Sequence, residues 1–318
     1  MKIGIRLSQT GKHYARRENI IKLAKGAESV GLDSVWVLER LIWPVNPQNS
    51  YPGSRDGKFP PDWQYILDPL ETLTFVAANT NRILLGTSVI DMFFHNPIIL
   101  SKRFATLDVL SEGRAIAGLG IGWSIDEYQV SGIPFKYRGK RADEYLQILK
   151  RTWTDDIVEF RGQFYDIPPS KIGPKPLQKP HIPIYLGGYS EKTFARIAHH
   201  ANGWICTMRD SEQVKLNIDK IKQECRRANR DPDDIEIAAI LYPNVIDSGD
   251  DNKQDEHRNK QQQSRHLLSG NIEQVGNDLR QIREVGVDHA ILNYNRSPSK
   301  NKIDSIINVS IQLRKFIG

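Results

Sequence analysis

The 318-residue chain carries 39% hydrophobic and 26% charged residues, a balance that supplies a globular core and argues against a disordered or membrane-embedded protein. Its net charge of +6 comes from lysines and arginines scattered beside acids, with no basic block interleaved with aromatics, so nucleic acid is not an expected partner. The two cysteines, Cys206 and Cys225, match neither a metal-ligand spacing nor a disulfide framework, so the chain is expected in the cytoplasm, without a metal.

The N-terminal run turns polar after Leu7, too early for a secretory signal, and reads as a first strand over 3–7. Further short apolar runs fall at 34–38, 83–90, 114–121, 182–187, 203–207, 235–242 and 289–294. They are continuous rather than alternating, as parallel strands buried on both faces require. Helix signals lie between them. Asp68-Pro69-Leu70-Glu71 places a cap, a first-turn proline and a glutamate in capping-box register. Asn96-Pro97 repeats the cap and proline, and Ser124 with Glu127 predicts another capping box. In 271–286, Ile272, Val275, Leu279, Ile282 and Val285 form one apolar helical face, and 303–316 has a similar stripe. Eight strands each followed by a helix predict a single-domain α/β protein, a (β/α)8 TIM barrel of 318 residues with insertions. The rival, an open doubly wound sheet, calls for a glycine fingerprint after the first strand, where Ser8-Gln9-Thr10 stands instead.

Three segments depart from the repeat. Residues 41–67 form a Pro/Gly/aromatic loop long enough to suggest a function over the site. Residues 157–168 read as a hairpin turning at Arg161-Gly162, and the polar stretch 247–265 reads as a mobile loop.

Barrels of this type put their chemistry at the C-terminal ends of the strands. Gly187-Gly188-Tyr189-Ser190 follows a strand and opens a helix, which suits an anion; it also suits a plain tight turn with a serine cap. Gly118, Gly120 and Gly122, before Trp123, weaken a strand. Either a flat ligand lies against the backbone there, or the glycines give steric relief inside the barrel. Glu39 and Arg40 end the second strand, as proton-handling and anion-binding groups or as a surface ion pair. The histidines form no metal set, and no strand carries an interior lysine for Schiff-base chemistry.

The ordered series ATLD-x-LS-x-GR, G-x-G-x-GW, R-x-x-R-x-x-E and GG-x-S, together with SVWVLERLIWPV, PKPLQKPHIPIYLGGYSEKTFARIAHHANGW and GVDHAIL, resembles the luciferase-like monooxygenase superfamily over most of the chain. Within it the chain looks most similar to the coenzyme F420-dependent oxidoreductases. The resemblance implies an isoalloxazine-type ring in the barrel mouth. Thr87, Ser88 and Val89 would back it on a bulge, Gly118, Gly120, Gly122 and Trp123 would line its pocket, and Gly187, Gly188, Tyr189 and Ser190 would hold its phosphate. Ser8 is a further expected cofactor contact, with His13 and Trp43 on the substrate side. Relatives often have an acid followed by histidine at the end of strand 2. Here Arg40 takes the histidine position and cannot act as a general base, which leaves Glu39 as the proton-transfer candidate. His95 stands where the branch often has arginine. The implied activity is hydride transfer between F420 and a small organic substrate, by a homodimer. An FMN-dependent monooxygenase and a non-catalytic flavin-binding barrel are the alternatives.

Overall fold

Eight parallel strands close on themselves in the computed structural model, which describes residues 1–54, 56–246, 265–296 and 303–317. They are β1 (Lys2–Arg6), β2 (Ser34–Val37), β3 (Leu84–Thr87), β4 (Ala115–Gly120), β5 (Ile184–Gly187), β6 (Gly203–Thr207), β7 (Glu236–Leu241) and β8 (His289–Leu292). Each pairs with the next in sequence, and β8 pairs with β1 through Lys2↔His289 to Ile5↔Leu292, so the sheet has no open edge. The eight expected strand runs are the eight staves, as the (β/α)8 barrel predicts. The run 83–90 is interrupted: β3 stops at Thr87, the Ser88–Val89 peptide is cis, and a two-residue strand, Ile90–Asp91, resumes pairing with β4 at Leu119 and Gly120.

The outer ring is α1 (Arg17–Ser29), α2 (Pro69–Ala77), α3 (Pro97–Leu110), α4 (Ile125–Val130), α5 (Arg138–Thr154), α6 (Glu191–His200), α7 (Ser211–Arg227), α8 (Ile272–Glu284) and α9 (Ile303–Arg314). Caps fix where the helices begin. The Asp68 carboxylate accepts from Leu70 N and Glu71 N, Asn96 Oδ1 accepts from Ile98 N, and Asn271 with Gln274 makes a reciprocal capping box. The two capping boxes expected at Asp68–Glu71 and Ser124–Glu127 are half formed. Each cap side chain accepts its amide, but Glu71 turns to Arg103 and Glu127 turns to Arg40, both cationic partners stronger than a main-chain amide.

The large core lies between barrel and helices, and a smaller one fills the barrel lumen with Trp36, Ile116, Tyr185, Ile205, Ala238, Ile240 and Ile291. Below it the lumen is sealed by a polar plug. Ser34 Oγ lies 2.7 Å from His289 Nε2, His289 Nδ1 lies 2.9 Å from Glu236 Oε1, and Lys2 Nζ donates to Glu236 Oε2 at 2.7 Å. The order serine, histidine, carboxylate matches a hydrolytic triad. Ser34 and His289 have no exposed surface, however, and Trp36 Nε1 donates to the serine oxygen, so the set serves as a buried tie between β1, β2, β7 and β8.

Several of the ordered motifs are girders. Asp108 accepts from Leu177 N and Gln178 N, and Arg114 donates to Ser111, Ala77, Thr80 and Ile83 carbonyls, pinning loops at the closed end. Glu144 accepts from Gln163 N and Phe164 N, which holds the turn of a hairpin. That hairpin pairs Val158–Arg161 with Asp166–Ser170, slightly longer than expected because register shifts between Val158 and Phe160. The expected mobile loop lies, apart from Arg265, outside the described residues. Among the described residues no helix is long and apolar enough to cross a membrane.

Candidate active site

A cavity of about 620 Å³ opens at the C-terminal rim of the barrel, within the range that buries a small molecule or cofactor. Its floor is the upper lumen core, Val89, Ile205 and Ile240. One wall is Gly187, Gly188 and Tyr189 with Thr207, Gln213 and Asn217. The opposite wall is Glu39, Arg40 and Asp91, and the roof is aromatic. The loop 41–67 supplies that roof: Tyr51 packs edge-on to Trp63 at 4.9 Å and beside Trp123 at 5.3 Å, and Phe59 packs on Trp123 at 5.2 Å. Polar ties hold it down. Asn49 donates to Trp123 O and accepts from Ile125 N, Gln48 N donates to Asp126, and Arg209 donates to Pro52 O.

The glycine run on β4 explains the shape of the floor. A Cβ on Gly118 would sit 1.7 Å from the Thr87 carbonyl oxygen; one on Gly120 would meet Val89 Cγ2 at 2.8 Å and Asp91 Oδ1 at 3.1 Å. The missing side chains make room for the segment Thr87–Asp91 to lie across β4, which turns Val89 and Asp91 toward the cavity. Thr87 locks this arrangement, since its Oγ1 donates to Gly118 O at 2.7 Å and accepts from Gly118 N at 2.9 Å.

Around Arg40 the wall is an ionic cluster. Arg40 Nη2 lies 2.6 Å from Asp91 Oδ2 and 3.0 Å from Glu127 Oε2, and Nε donates to Glu39 O. The guanidinium is flanked by Trp123 and Trp63, 5.0 and 5.6 Å from their ring centres, and Nη1 is buried without a hydrogen bond. Both Glu39 carboxylate oxygens are engaged: Oε1 with His95 Nε2 at 2.6 Å, Oε2 accepting from Asp91 N at 3.0 Å. Glu127 Oε1 accepts from Leu41 N. Burial pushes the Asp91 carboxyl up to about 7, although Arg40 beside it pulls the other way. Burial raises Glu127 as well, again against the pull of Arg40.

Of the residues expected at the site, Glu39, Arg40, Ser88, Val89, Gly120, Gly122, Trp123, Gly187, Gly188 and Tyr189 line the cavity. The other expected contacts stand elsewhere. Gly118 and Thr87 are covered because they grip each other. Ser190 is exposed and spends its hydroxyl capping α6, accepting from Thr193 N. Ser8 does not line the cavity; next to it Gln9 is buried and donates to Leu38 O and Leu67 O. Trp43 turns its indole N–H to Pro60 O, away from the mouth, where Trp63 takes its place, and His13 is exposed.

Arg6 and Glu127 were not expected at the site, and Asp91, at the end of the rim segment Thr87–Asp91, was expected only as a strand-end position without a role. Arg6 ends β1 and lines the cavity; burial lowers its pKa, with Tyr242 and Tyr51 nearby opposing that. The signal was present in two of the three cases: a charge at the C-terminal end of an otherwise apolar strand, in IGIRL and after TSVI.

Fold and site thus define a (β/α)8 barrel with one broad cavity at its C-terminal rim, apolar below, glycine-lined on one side and ionic on the other. The family model for luciferase-like monooxygenases matches residues 1–263, and the chain belongs to that family. An uncharacterised protein of Mycobacterium tuberculosis is 41% identical over 198 residues, 61% of this chain and 70% of that protein. An F420-dependent glucose-6-phosphate dehydrogenase of Amycolatopsis mediterranei is 30% identical over 244 residues, 74% of this chain and 67% of the relative. The solved structure of an F420-dependent secondary alcohol dehydrogenase in complex with an F420–acetone adduct superposes with a TM-score of 0.78 at 18% identity, covering 100% of this chain and 99% of that one, a likeness of fold.

Proposed function

We propose that the protein is an oxidoreductase that transfers hydride between a deazaflavin of the coenzyme F420 type and a small organic substrate. The observation that carries this reading is the two-sided cavity. A planar ring fits between Val89 and the glycine wall, and an anionic tail fits at Gly187-Gly188, where backbone amides meet the positive end of the 10-residue helix α6. Gly188 has φ +128°, a conformation that side chains rarely adopt, and a Cβ there would press on Thr193 at 3.1 Å. Relatives named for F420 support the choice of coenzyme.

When bound, the coenzyme supplies two electrons as hydride. The chain's own residues do the rest. Ser88 and Val89 back the ring, and the roof of Tyr51, Trp63 and Trp123 excludes water from the reacting face. Glu39, Arg40 and Asp91 face the substrate side with two acids and one permanent cation. The test is a titration of the purified protein with F420 and, separately, with FMN, followed by absorbance. Saturable F420 binding together with turnover on carbonyl or imine substrates is expected. Tight FMN binding without F420 binding overturns the reading in favour of a flavin monooxygenase, and cofactor binding with no turnover favours a binding barrel.

A further inference from the structure

We propose that Asp91, rather than Glu39, is the group that exchanges a proton with the substrate, held in place by Arg40 and the Gly122 amide; this rests on the hydride-transfer reading above. Two of three buried carboxylates, Asp91 and Glu127, reach the Arg40 guanidinium, which meets the third residue, Glu39, only through its main-chain carbonyl. Glu39 has its own partners, His95 and the Asp91 amide. Asp91 and Glu127 therefore share a single cation, both reaching the same atom, Nη2 of Arg40. Two carboxylates on one cation out of water keep one proton between them.

Geometry decides which of the two can pass that proton on. Glu127 has no exposed surface and does not face the cavity, and its Oε1 is occupied by Leu41 N. Asp91 faces the cavity, with Oδ2 on Arg40 and Oδ1 lying over Gly120, while the Gly122 amide also donates toward its carboxyl. The other groups facing Asp91 are Glu39, which disfavours its ionisation, and Tyr128, whose hydroxyl donates to Ile121 O. The shift of Asp91 to about 7 agrees with this placement, because a proton donor serves best near the working pH.

The substrate class follows from this. In the reducing direction, hydride from the reduced deazaflavin brings two electrons and one hydrogen to the carbon of a C=O or C=N bond, and the carrier is oxidised by two electrons. The Asp91 proton goes to the oxygen or nitrogen, leaving an alcohol or amine, and the carboxylate regains a proton from water. Oxidation of an alcohol runs the same steps backward, with the Asp91 carboxylate taking the hydroxyl proton.

Two measurements test this. In cofactor-free protein titrated from about pH 5 to about pH 9, difference infrared spectra should show a protonated-carboxyl C=O band that disappears with a midpoint near 7. Asp91→Asn should abolish the band and Glu39→Gln should retain it. With F420 loaded, Asp91→Asn should keep cofactor affinity within about threefold, lower turnover on aldehydes or imines by about 100-fold or more, and lose the pH limb near 7. A band that persists in Asp91→Asn, or an Asp91→Asn enzyme with wild-type rate and pH profile, overturns the proposal while leaving hydride transfer standing. Absence of F420 binding by the wild type overturns the hydride reading and the assigned role with it, whatever the infrared band does.

Discussion

Gly118→Ala tests whether the glycines of β4 serve the bulged segment or a ligand directly. The added carbon would start 1.7 Å from the Thr87 carbonyl oxygen, about 1.6 Å inside an ordinary approach of about 3.3 Å. Main chain must move on one strand or the other. The movement breaks the two hydrogen bonds that Thr87 Oγ1 makes with Gly118, about 1 kcal/mol each, and adds overpacking strain of about 1–3 kcal/mol. The expected loss is therefore about 3–5 kcal/mol, or on the order of 6 °C in melting temperature for a chain of this size. Gly139→Ala is the control: in the first turn of α5 the nearest atom to a new Cβ is Arg196 Nη2 at 3.7 Å, and alanine should stabilise the helix by up to about 1 kcal/mol. Thermal melts of both variants and cofactor titrations check this. Gly118→Ala should also weaken cofactor binding, although Gly118 does not face the cavity, because Val89 moves with Thr87. A Gly118→Ala protein that melts with the wild type refutes the packing argument.

Other expectations follow from buried charge. Asp91 ionises near 7 in the fold and near 4 when unfolded, so its contribution to stability is fully present below about pH 4 and is lost as pH rises through 7; urea unfolding should show Asp91→Asn removing about 3 kcal/mol of pH dependence between about pH 5 and about pH 8.5. Glu236 behaves oppositely. Burial would raise it, but hydrogen bonds from His289 and Lys2 hold it at about 2, so its stabilisation of about 3 kcal/mol is present above the ordinary carboxylate range and lost as pH falls toward 2. His289→Leu should therefore move acid unfolding to higher pH and cost about 3–5 kcal/mol, while cofactor affinity in titrations stays unchanged. Glu71→Ala, which removes an exposed partner of Arg103, should change stability by less than about 1 kcal/mol in the same urea assay.

The barrel was legible because its signals are local and repeated: short apolar runs at even spacing, and caps such as Asp68-Pro69 and Asn96-Pro97 that fix helix starts without tertiary help. The site was legible where the chemistry rests on main chain, as at Gly187 and Gly188. It was less so where side chains choose partners across the mouth. Glu127 scans as a capping residue until Arg40, 87 positions earlier, is seen to claim it. Trp43 and Trp63 are equally plausible roof residues in one dimension; the hydrogen bond to Pro60 O decides between them. Gly118 has a ligand-shaped signature in sequence, and its true neighbour, the Thr87 carbonyl, lies 31 residues away.

The roof gives the molecule an optical reporter of its own occupancy. Of six tryptophans, Trp36, Trp153 and Trp204 are sealed in the interior and Trp43 turns aside, which leaves Trp63 and Trp123 at the entrance with a guanidinium between them. Anything that fills the entrance changes the surroundings of those two indoles first, while Trp204, which donates to Gly188 O, reports on the glycine wall. Emission intensity from unlabelled protein therefore follows loading and release in real time, and Trp63→Phe and Trp123→Phe separate the signal from each side of the opening.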